Sequence, residues 1–404
     1  MARLEVRPIK DYCLGIFDGP HATPKETDEG PIFLGIKNIT DDGRLNFSEI
    51  RHVSEDEFPK WTRRVVPQAG DVVFTYEATL HRYAIIPDDF RGCLGRRVAL
   101  IRPNPSLAVS KYLLYYFLSH EWRKIVEGNV ISGATVDRIP LERFPDFPIA
   151  LPPVSVQREV SSILSTYDDL IENNRRRMAL LEESARLLYR EWFVRLRFPG
   201  YEHTRTVDGV PEGWNKGAVS DFYETSSGGT PSRKISEYFT GEIPWVKTQE
   251  LPNAFITDTQ EKITEQALKN SSAKLFPDRT VLVALYGATV GEIGILSMPA
   301  TTNQACCAII PLDERANFIH AFLFFRENKE KLVNLSAGAA QNNISQQIIR
   351  ACEMIMPNSS LMNIFVESLA PVFDQWLNLQ RQNEKLRAAR DLLLPRLMSG
   401  EIAV

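Results

Sequence analysis

Residues 155–193 read SVQREVSSILSTYDDLIENNRRRMALLEESARLLYREWF, with neither glycine nor proline inside. Leu164, Ile171, Met178, Ala185 and Trp192 recur every seven residues, and Val160, Tyr167, Asn174, Leu181 and Leu188 recur in step, offset by three. That spacing predicts a helix with an a/d seam, the pattern of a coiled coil. Leu151-Pro152-Pro153 precedes it, and Ser155 is read as its N-cap. A second helix of the same kind is predicted from about Ser360 to Met398. Its seams are Leu369, Trp376, Asn383, Arg390 and Leu397, with Phe365, Val372, Leu379, Leu386 and Leu393. Pro395 is expected to disturb its last turn. A helix of about 38 residues is about 57 Å long. An apolar stripe of that length needs a partner, and each helix is the nearest one for the other.

An antiparallel register sets Leu164 opposite Leu393, Ile171 opposite Leu386, Met178 opposite Leu379 and Leu181 opposite Trp376. It also sets Asn174 against Asn383, a buried polar pair that would fix the register. Tyr167 would face Arg390, a cation–π arrangement. The alternative is that each helix packs on its own domain. Arg175-Arg176-Arg177 lies mid-helix and is read as a solvated or ion-paired face.

Outward from the helices, the chain repeats. Asp11-Tyr12, Gly19 and Thr23-Pro24 return as Asp221-Phe222, Gly229 and Thr230-Pro231. Phe33-Leu34 returns as Trp245-Val246. The run from Val72 to Thr79 is matched with the run from Leu282 to Thr289, and Ser132-Gly133-Ala134 with Ala337-Gly338-Ala339. Pro152 and Pro357 then close each unit ahead of a long helix. The common order reads as a duplicated domain-plus-helix unit. The boundaries are 1–150 for the first domain, 151–198 for its helix, 199–356 for the second domain and 357–404 for the last helix. Each domain mixes short β-rich runs (Asp71 to Tyr76, Arg97 to Arg102, Thr280 to Leu285, Ala305 to Ile310) with one helix, near Ser110–Glu127 or Ala316–Leu335. The fold class expected is α+β: two similar mixed α/β domains and two long antiparallel coiled-coil helices.

The chain carries 47 Lys and Arg against 51 Asp and Glu, a formal net charge of -4. Any nucleic-acid binding must therefore come from local basic clusters. Five cysteines, an odd number with no C-x-x-C pair, fit a reduced, cytoplasmic setting rather than a disulfide frame or a cysteine zinc site. Met1 to Lys10 is charged and mixed, without the apolar core of a signal peptide, and no apolar run is long enough to span a membrane. No phosphate-binding G-x-x-x-x-G-K-[ST] occurs, nor H-E-x-x-H. Asp146-Phe147-Pro148 and Pro152-Pro153 do not make the Asn/Asp-Pro-Pro-Tyr/Phe motif an adenine methyltransferase needs. No catalytic, cofactor or metal site is expected.

The run Leu151-Pro152-Pro153-Val154-Ser155-Val156-Gln157-Arg158, followed by Asp168-Asp169-Leu170-Ile171-Glu172-Asn173-Asn174-Arg175, resembles the central conserved region of type I restriction-modification specificity subunits. The ending from Arg390 to Ile402 resembles the distal conserved region of that family. Gly228-Gly229-Thr230-Pro231-Ser232 and Ile243-Pro244-Trp245-Val246-Lys247-Thr248 resemble the opening of a target-recognition domain. The first domain departs from this pattern, with Gly30-Pro31-Ile32-Phe33-Leu34 at the corresponding place. The resemblance covers essentially the whole chain. It implies a non-catalytic subunit that reads a bipartite double-stranded DNA target, one half with each domain, the helices setting the unread spacer. The partners implied are two methyltransferase subunits using S-adenosylmethionine, and an ATP- and Mg-dependent motor-nuclease subunit. The rival reading is a coiled-coil scaffold that binds only proteins.

Affinity for DNA comes from Lys and Arg on phosphates, and specificity from side chains on base edges. Loop residues of those types in the first domain are Lys25, Lys37, Asn38, His81, Arg82, Arg96 and Arg97. In the second they are Thr230, Ser232, Arg233, Lys234, Lys247, Thr248, Tyr286, Asn303 and Gln304, with Gly228 and Gly229 allowing close backbone approach to a phosphate.

Overall fold

The computed structural model describes residues 4–133, 136–336 and 343–404. The two long helices run Val154–Tyr189 and Ser359–Met398. Ser155 lies inside the first turn rather than capping it: the first helical amide bond is Gln157 N to Pro153 O, 3.0 Å. Gln157 does the anchoring instead. It is fully buried; its amide donates to the carbonyls of Leu107 and Pro152 and accepts from Val109 N, at 2.8 to 2.9 Å. Pro395 does not break the second helix, which continues through it with Ser399 N bonded to Pro395 O at 2.9 Å. A proline so near the end removes one amide from a turn that is already running out of partners.

The chain packs as two units, residues 1–171 with 385–404, and residues 172–384. Each long helix thus contributes residues to both, rather than forming a body apart from the domains.

In the first unit, four antiparallel strands lie in the order Cys13–Asp18, Val98–Pro103, Val72–Thr75, Tyr83–Ile85. A second sheet joins Thr27–Leu34 in parallel to Gly92–Leu94, with Arg51–His52 on its other edge. In the second unit the order is Tyr223–Ser227, Cys306–Pro311, Val281–Ala284, Ile293–Leu296, extended by a parallel strand Phe255–Ile256. Its second sheet joins Ile243–Val246 in parallel to Ala300–Thr302. The two units therefore share a core topology, including the parallel pair of the second sheet, and the second unit adds Phe255–Ile256 to one sheet and Leu275–Phe276 to the other.

The register corrects the sequence alignment by one residue. Val72 faces Ile101 as Val281 faces Ile309, so Val72 corresponds to Val281 and not to Leu282. Tyr76 and Leu285 then hold the same backbone place, bonded to Ile139 N and Ile344 N at 2.7 Å each. Ala78 and Gly287 both take a positive φ, 70° and 87°. The repeat elements Ala134 and Ala337 to Ala339 lie outside the described residues.

The helix expected near Ser110–Glu127 is two, Ser110–Leu118 and His120–Glu127. Ser119 is extended, and its buried hydroxyl oxygen accepts Trp122 N at 3.3 Å, so it starts a new helix instead of continuing the old one. The second unit is interrupted at the same place, Phe318–Glu327 followed by Lys329–Ser336, although Asn328 between them is not extended.

The heptad positions serve the domains as well as the partner helix. In the first unit Val160, Leu164 and Leu397 are buried in one apolar core with Trp122 and Phe144, and Leu393 packs on it. In the second, Tyr189, Trp192 and Phe193 share a core with Phe365, Phe373 and Trp376, against which Met178 and Leu181 pack. Ile171 and Leu379 are buried and Leu386 half-buried. Asn174 Nδ2 donates to Asn383 Oδ1 at 3.0 Å. Arg390 does not sit on Tyr167. Its guanidinium pairs with Asp168 at 2.6 Å and with Asp391 at 2.9 Å, because a desolvated cation gains more from a carboxylate than from a ring. The Tyr115 hydroxyl donates to the other oxygen of Asp168. In the arginine run, Arg175 and Arg176 pair with Glu172 one turn back, at 3.9 and 3.1 Å.

Candidate nucleic-acid interface

In the first unit an open cleft of about 570 Å³ is lined by Lys37, Asn38, Arg51, Arg96 and Arg97 over Phe33. The turn after Leu34 positions the first two. Gly35 N bonds to Asn38 Oδ1 at 3.0 Å, and the Asn38 amide donates to the carbonyls of Asn46 and Glu49 at 3.0 Å each. Asn38 is thus a buried brace with its hydrogen-bonding capacity committed to the loop, and it is removed from the base-reading residues. Lys37, one residue earlier, is left exposed at the cleft.

Arg97 takes a φ of 70° and pairs with Glu77 at 2.9 Å. Arg96 beside it is exposed. Among the described residues, Lys37 and Arg96 have no ion-pair partner. Glu26 and Glu49 are the acidic groups of the cleft wall, Glu26 lying 3.8 Å from Arg51.

His81 and Arg82 serve the fold. Arg82 donates to the Ile39 carbonyl at 2.9 Å, tying two loops. His81 is half-buried, 3.9 Å from Glu127; burial first, and Arg123 second, lower its pKa, so its ring is neutral near pH 7. Lys25 is exposed but lies outside the cleft lining.

The second unit gathers its candidates around Glu261. Arg233 is exposed, with its guanidinium over the rings of Phe239 at 4.1 Å and Trp245 at 4.9 Å. Both its terminal nitrogens meet the Glu261 carboxylate, and Lys247 Nζ reaches the same group at 2.8 Å. Trp245 is fixed in turn by its indole N–H on the Gly229 carbonyl at 3.0 Å. The hydrogen bonds from Arg233, then Lys247, hold the Glu261 carboxyl down at about 2, from an ordinary 4.5. A carboxyl with a depressed folded pKa stabilises the fold above its unfolded value, and that stabilisation fades as pH falls from about 4.5 toward about 2. Glu261→Gln is therefore expected to flatten the acid limb of stability in this window, read by urea titration at successive pH. Identical acid limbs for the two proteins would remove Glu261 from this role.

Several residues are better explained by packing. Gly228 and Gly229 are buried, and a Cβ at either would stand 2.2 Å from the Thr302 carbonyl or 2.4 Å from the Ser272 backbone. Their bareness serves a close approach of protein backbone rather than of a phosphate. Thr248 is buried at the start of a short helical turn, Thr248–Asn253. Tyr286, at the surface, pairs its backbone with Asn343. Asn303 spends its side-chain oxygen on Ala305 N at 3.2 Å. Thr230 donates to the side-chain oxygen of Gln304, and both are exposed, as are Ser232 and Lys234.

Glu261 and Glu250 went unnoticed in the sequence. Glu250 accepts Lys247 N at 2.7 Å and Gln260 N at 2.8 Å. Its signal was present, an acidic residue three places after the residue that opens a helical turn. Glu261 carries no local signal, since its partners lie 14 and 28 residues upstream.

The family model for the type I restriction modification DNA specificity domain matches twice, over residues 26–183 and 211–386. The chain belongs to that family. The two matches fall one on each copy of the repeated topology. Among curated relatives, the type I restriction enzyme HindI specificity subunit of Haemophilus influenzae is 25% identical, covering 97% of this chain and 99% of its own. The MjaIX specificity subunit of Methanocaldococcus jannaschii is also 25% identical, covering 98% of this chain and 89% of its own. The crystal structure of the type I restriction-modification S subunit from M. genitalium has the same fold, with a TM-score of 0.56, 13% identity and coverage of 98% of this chain. Specificity subunits are the non-catalytic members of type I systems. Among the described residues no cluster of His, Cys, Asp and Glu is arranged to hold a metal ion, and no helix is long and apolar enough to cross a membrane.

Proposed function

We propose that this chain is the DNA-reading subunit of a cytoplasmic type I restriction-modification complex, with each unit reading one half of a bipartite target. The observation that carries this is the doubled topology: one chain holds two copies of a DNA specificity domain, each presenting loops at the same corner of the same pair of sheets. A duplicated reader suits a target in two parts. The long helices, paired antiparallel, set the length of DNA left unread between the halves. Two methyltransferase subunits dock on the chain and bring S-adenosylmethionine, and a motor-nuclease subunit brings ATP and Mg chemistry. The chain itself binds and positions.

The test is to map adenine methylation across the native genome with and without this chain, alongside capture of the tagged chain from extract. The expected result is loss of methylation at one bipartite motif, with a methyltransferase in the captured material. An unchanged methylation map and no captured methyltransferase would favour a coiled-coil scaffold that binds only proteins.

A further inference from the structure

The shared topology allows the two units to be compared residue by residue at the loops, which the sequence alignment could not do. Leu94 pairs in parallel with Leu34 as Thr302 does with Val246. Val98 pairs with Thr75 as Cys306 does with Ala284. Gly95-Arg96-Arg97 thus occupies the place of Asn303-Gln304-Ala305. The same backbone bonds frame both turns. Gly95 N meets Leu34 O at 2.8 Å and Asn303 N meets Val246 O at 3.0 Å; Tyr76 N meets Arg97 O at 3.2 Å and Leu285 N meets Ala305 O at 2.8 Å. Arg96 and Gln304 are the middle residues, and both are exposed.

The neighbouring loop behaves alike. Asn38 accepts the Gly35 amide as Glu250 accepts the Lys247 amide, so the exposed side chains within these turns are Lys37 in one unit and Gln249 in the other. At two equivalent places the first unit carries a cation and the second a glutamine. Lys37 and Arg96 line one cleft. In the second unit the Thr230 hydroxyl donates to the Gln304 side-chain oxygen, which fixes the acceptor and donor ends of that amide.

Arg and Lys match the two acceptors of guanine in the major groove, and an oriented Gln amide matches the donor and acceptor of adenine. Resting on the specificity reading above, we infer that Arg96 and Gln304 are equivalent specificity-determining residues, Arg96 reading a guanine in one half-site and Gln304 an adenine in the other. Lys37 supports Arg96 from the same cleft. The acidic Glu26 and Glu49 on the cleft wall disfavour an approach by phosphate there, and a carboxylate matches the N4 amino donor of the cytosine paired with that guanine.

The experiment replaces the native chain by Arg96→Gln, Arg96→Lys or Gln304→Arg and maps genomic adenine methylation. In Arg96→Gln, one guanine position of one half-site is expected to relax or turn to adenine, with discrimination there falling about tenfold or more. The other half-site stays as in the native protein, which shows that the chain is folded and assembled. Arg96→Lys keeps the guanine. Gln304→Arg changes one adenine position in the opposite half. An unchanged motif in both Arg96→Gln and Gln304→Arg overturns the inference. So does an equal loss at every site in a variant with an unchanged urea midpoint, which marks a phosphate contact, and so do changes by both variants in the same half-site. A native chain that directs no bipartite methylation at all sinks the specificity reading itself, a different result from any of these.

Discussion

Trp122→Ala is expected to cost the first unit about 3–5 kcal/mol of stability, the range for truncating a buried large aromatic. Trp122 is fully buried, with ring centroids of Phe117, Phe144 and Phe147 at 4.7, 5.9 and 6.1 Å. Its indole N–H donates to the Tyr83 hydroxyl at 2.9 Å, and Tyr83 is itself 1% exposed. Truncation therefore leaves a cavity where three rings meet and strands a buried hydroxyl as well. The same core holds Val160, Leu164 and Leu397 of the long helices. The loss is thus expected to reach the helix ends that belong to this unit. Hydrogen exchange would show it as lowered protection of Tyr112, Tyr83 and Leu164 together, while Phe322 and Phe365, in the other unit's core, keep theirs. A variant that loses less than about 1 kcal/mol, or loses protection equally in both cores, would mean that this cluster is not what holds the first unit.

Such a core could be anticipated from sequence only in part, and the reason differs from element to element. The long helices were legible because their apolar positions recur every seven residues over five turns of the pattern, a signal no short loop can imitate. The duplication was legible because Asp-Tyr/Phe, Thr-Pro and Ala-Thr landmarks return in order. Its register was not. Val72–Thr75 and Val281–Ala284 are buried at every position, so neither strand alternates, and nothing in the residue types says which of two adjacent alignments is right. That one-residue slip hid the equivalence of Ala78 with Gly287.

The candidate interface was legible at the level of loops and not at that of side chains. Lys37 and Arg96 stand open at a cleft as their residue types suggested. Asn38 looks identical to a base reader in sequence, yet its amide closes a turn. What separates them is whether a partner three to eleven residues away uses up the polar atoms, and that is decided by tertiary structure. Arg233 shows the same limit from the other side. Its charge was visible, but the carboxylate that orients it comes from a residue 28 positions later, just ahead of the strand Lys262–Ile263.

The amide pair between the long helices makes the second large prediction. Asn174 and Asn383 are 7% and 1% exposed, and Asn174 Nδ2 donates to Asn383 Oδ1 at 3.0 Å and reaches Gln382 Oε1 at 3.5 Å. Leu379, one turn before Asn383, is fully buried, so the pair sits in an apolar seam. Asn383→Leu adds an apolar side chain there but leaves the Asn174 amide without its main acceptor. That is expected to cost about 1–3 kcal/mol, the desolvation of an unpaired buried group. Asn174→Leu removes the donor to Asn383 Oδ1 and is expected to destabilise the seam as well. Joined in one chain, the two substitutions remove both polar groups at once, so the double variant is expected to recover most of the loss, or to exceed the native stability. A urea double-mutant cycle reads this as a coupling of about 1 kcal/mol or more. The recovered stability should come with a looser structure. Leucine seams tolerate more than one alignment and more than one partner, and a single buried asparagine pair is a known way of forbidding the alternatives. Size-exclusion profiles of the double variant are therefore expected to show more self-association than those of the native chain. Single variants that cost nothing, or a double variant whose loss is the plain sum of the two, would show that the amides are hydrated rather than paired, and that the register of the helices is set by their packing on the domains instead.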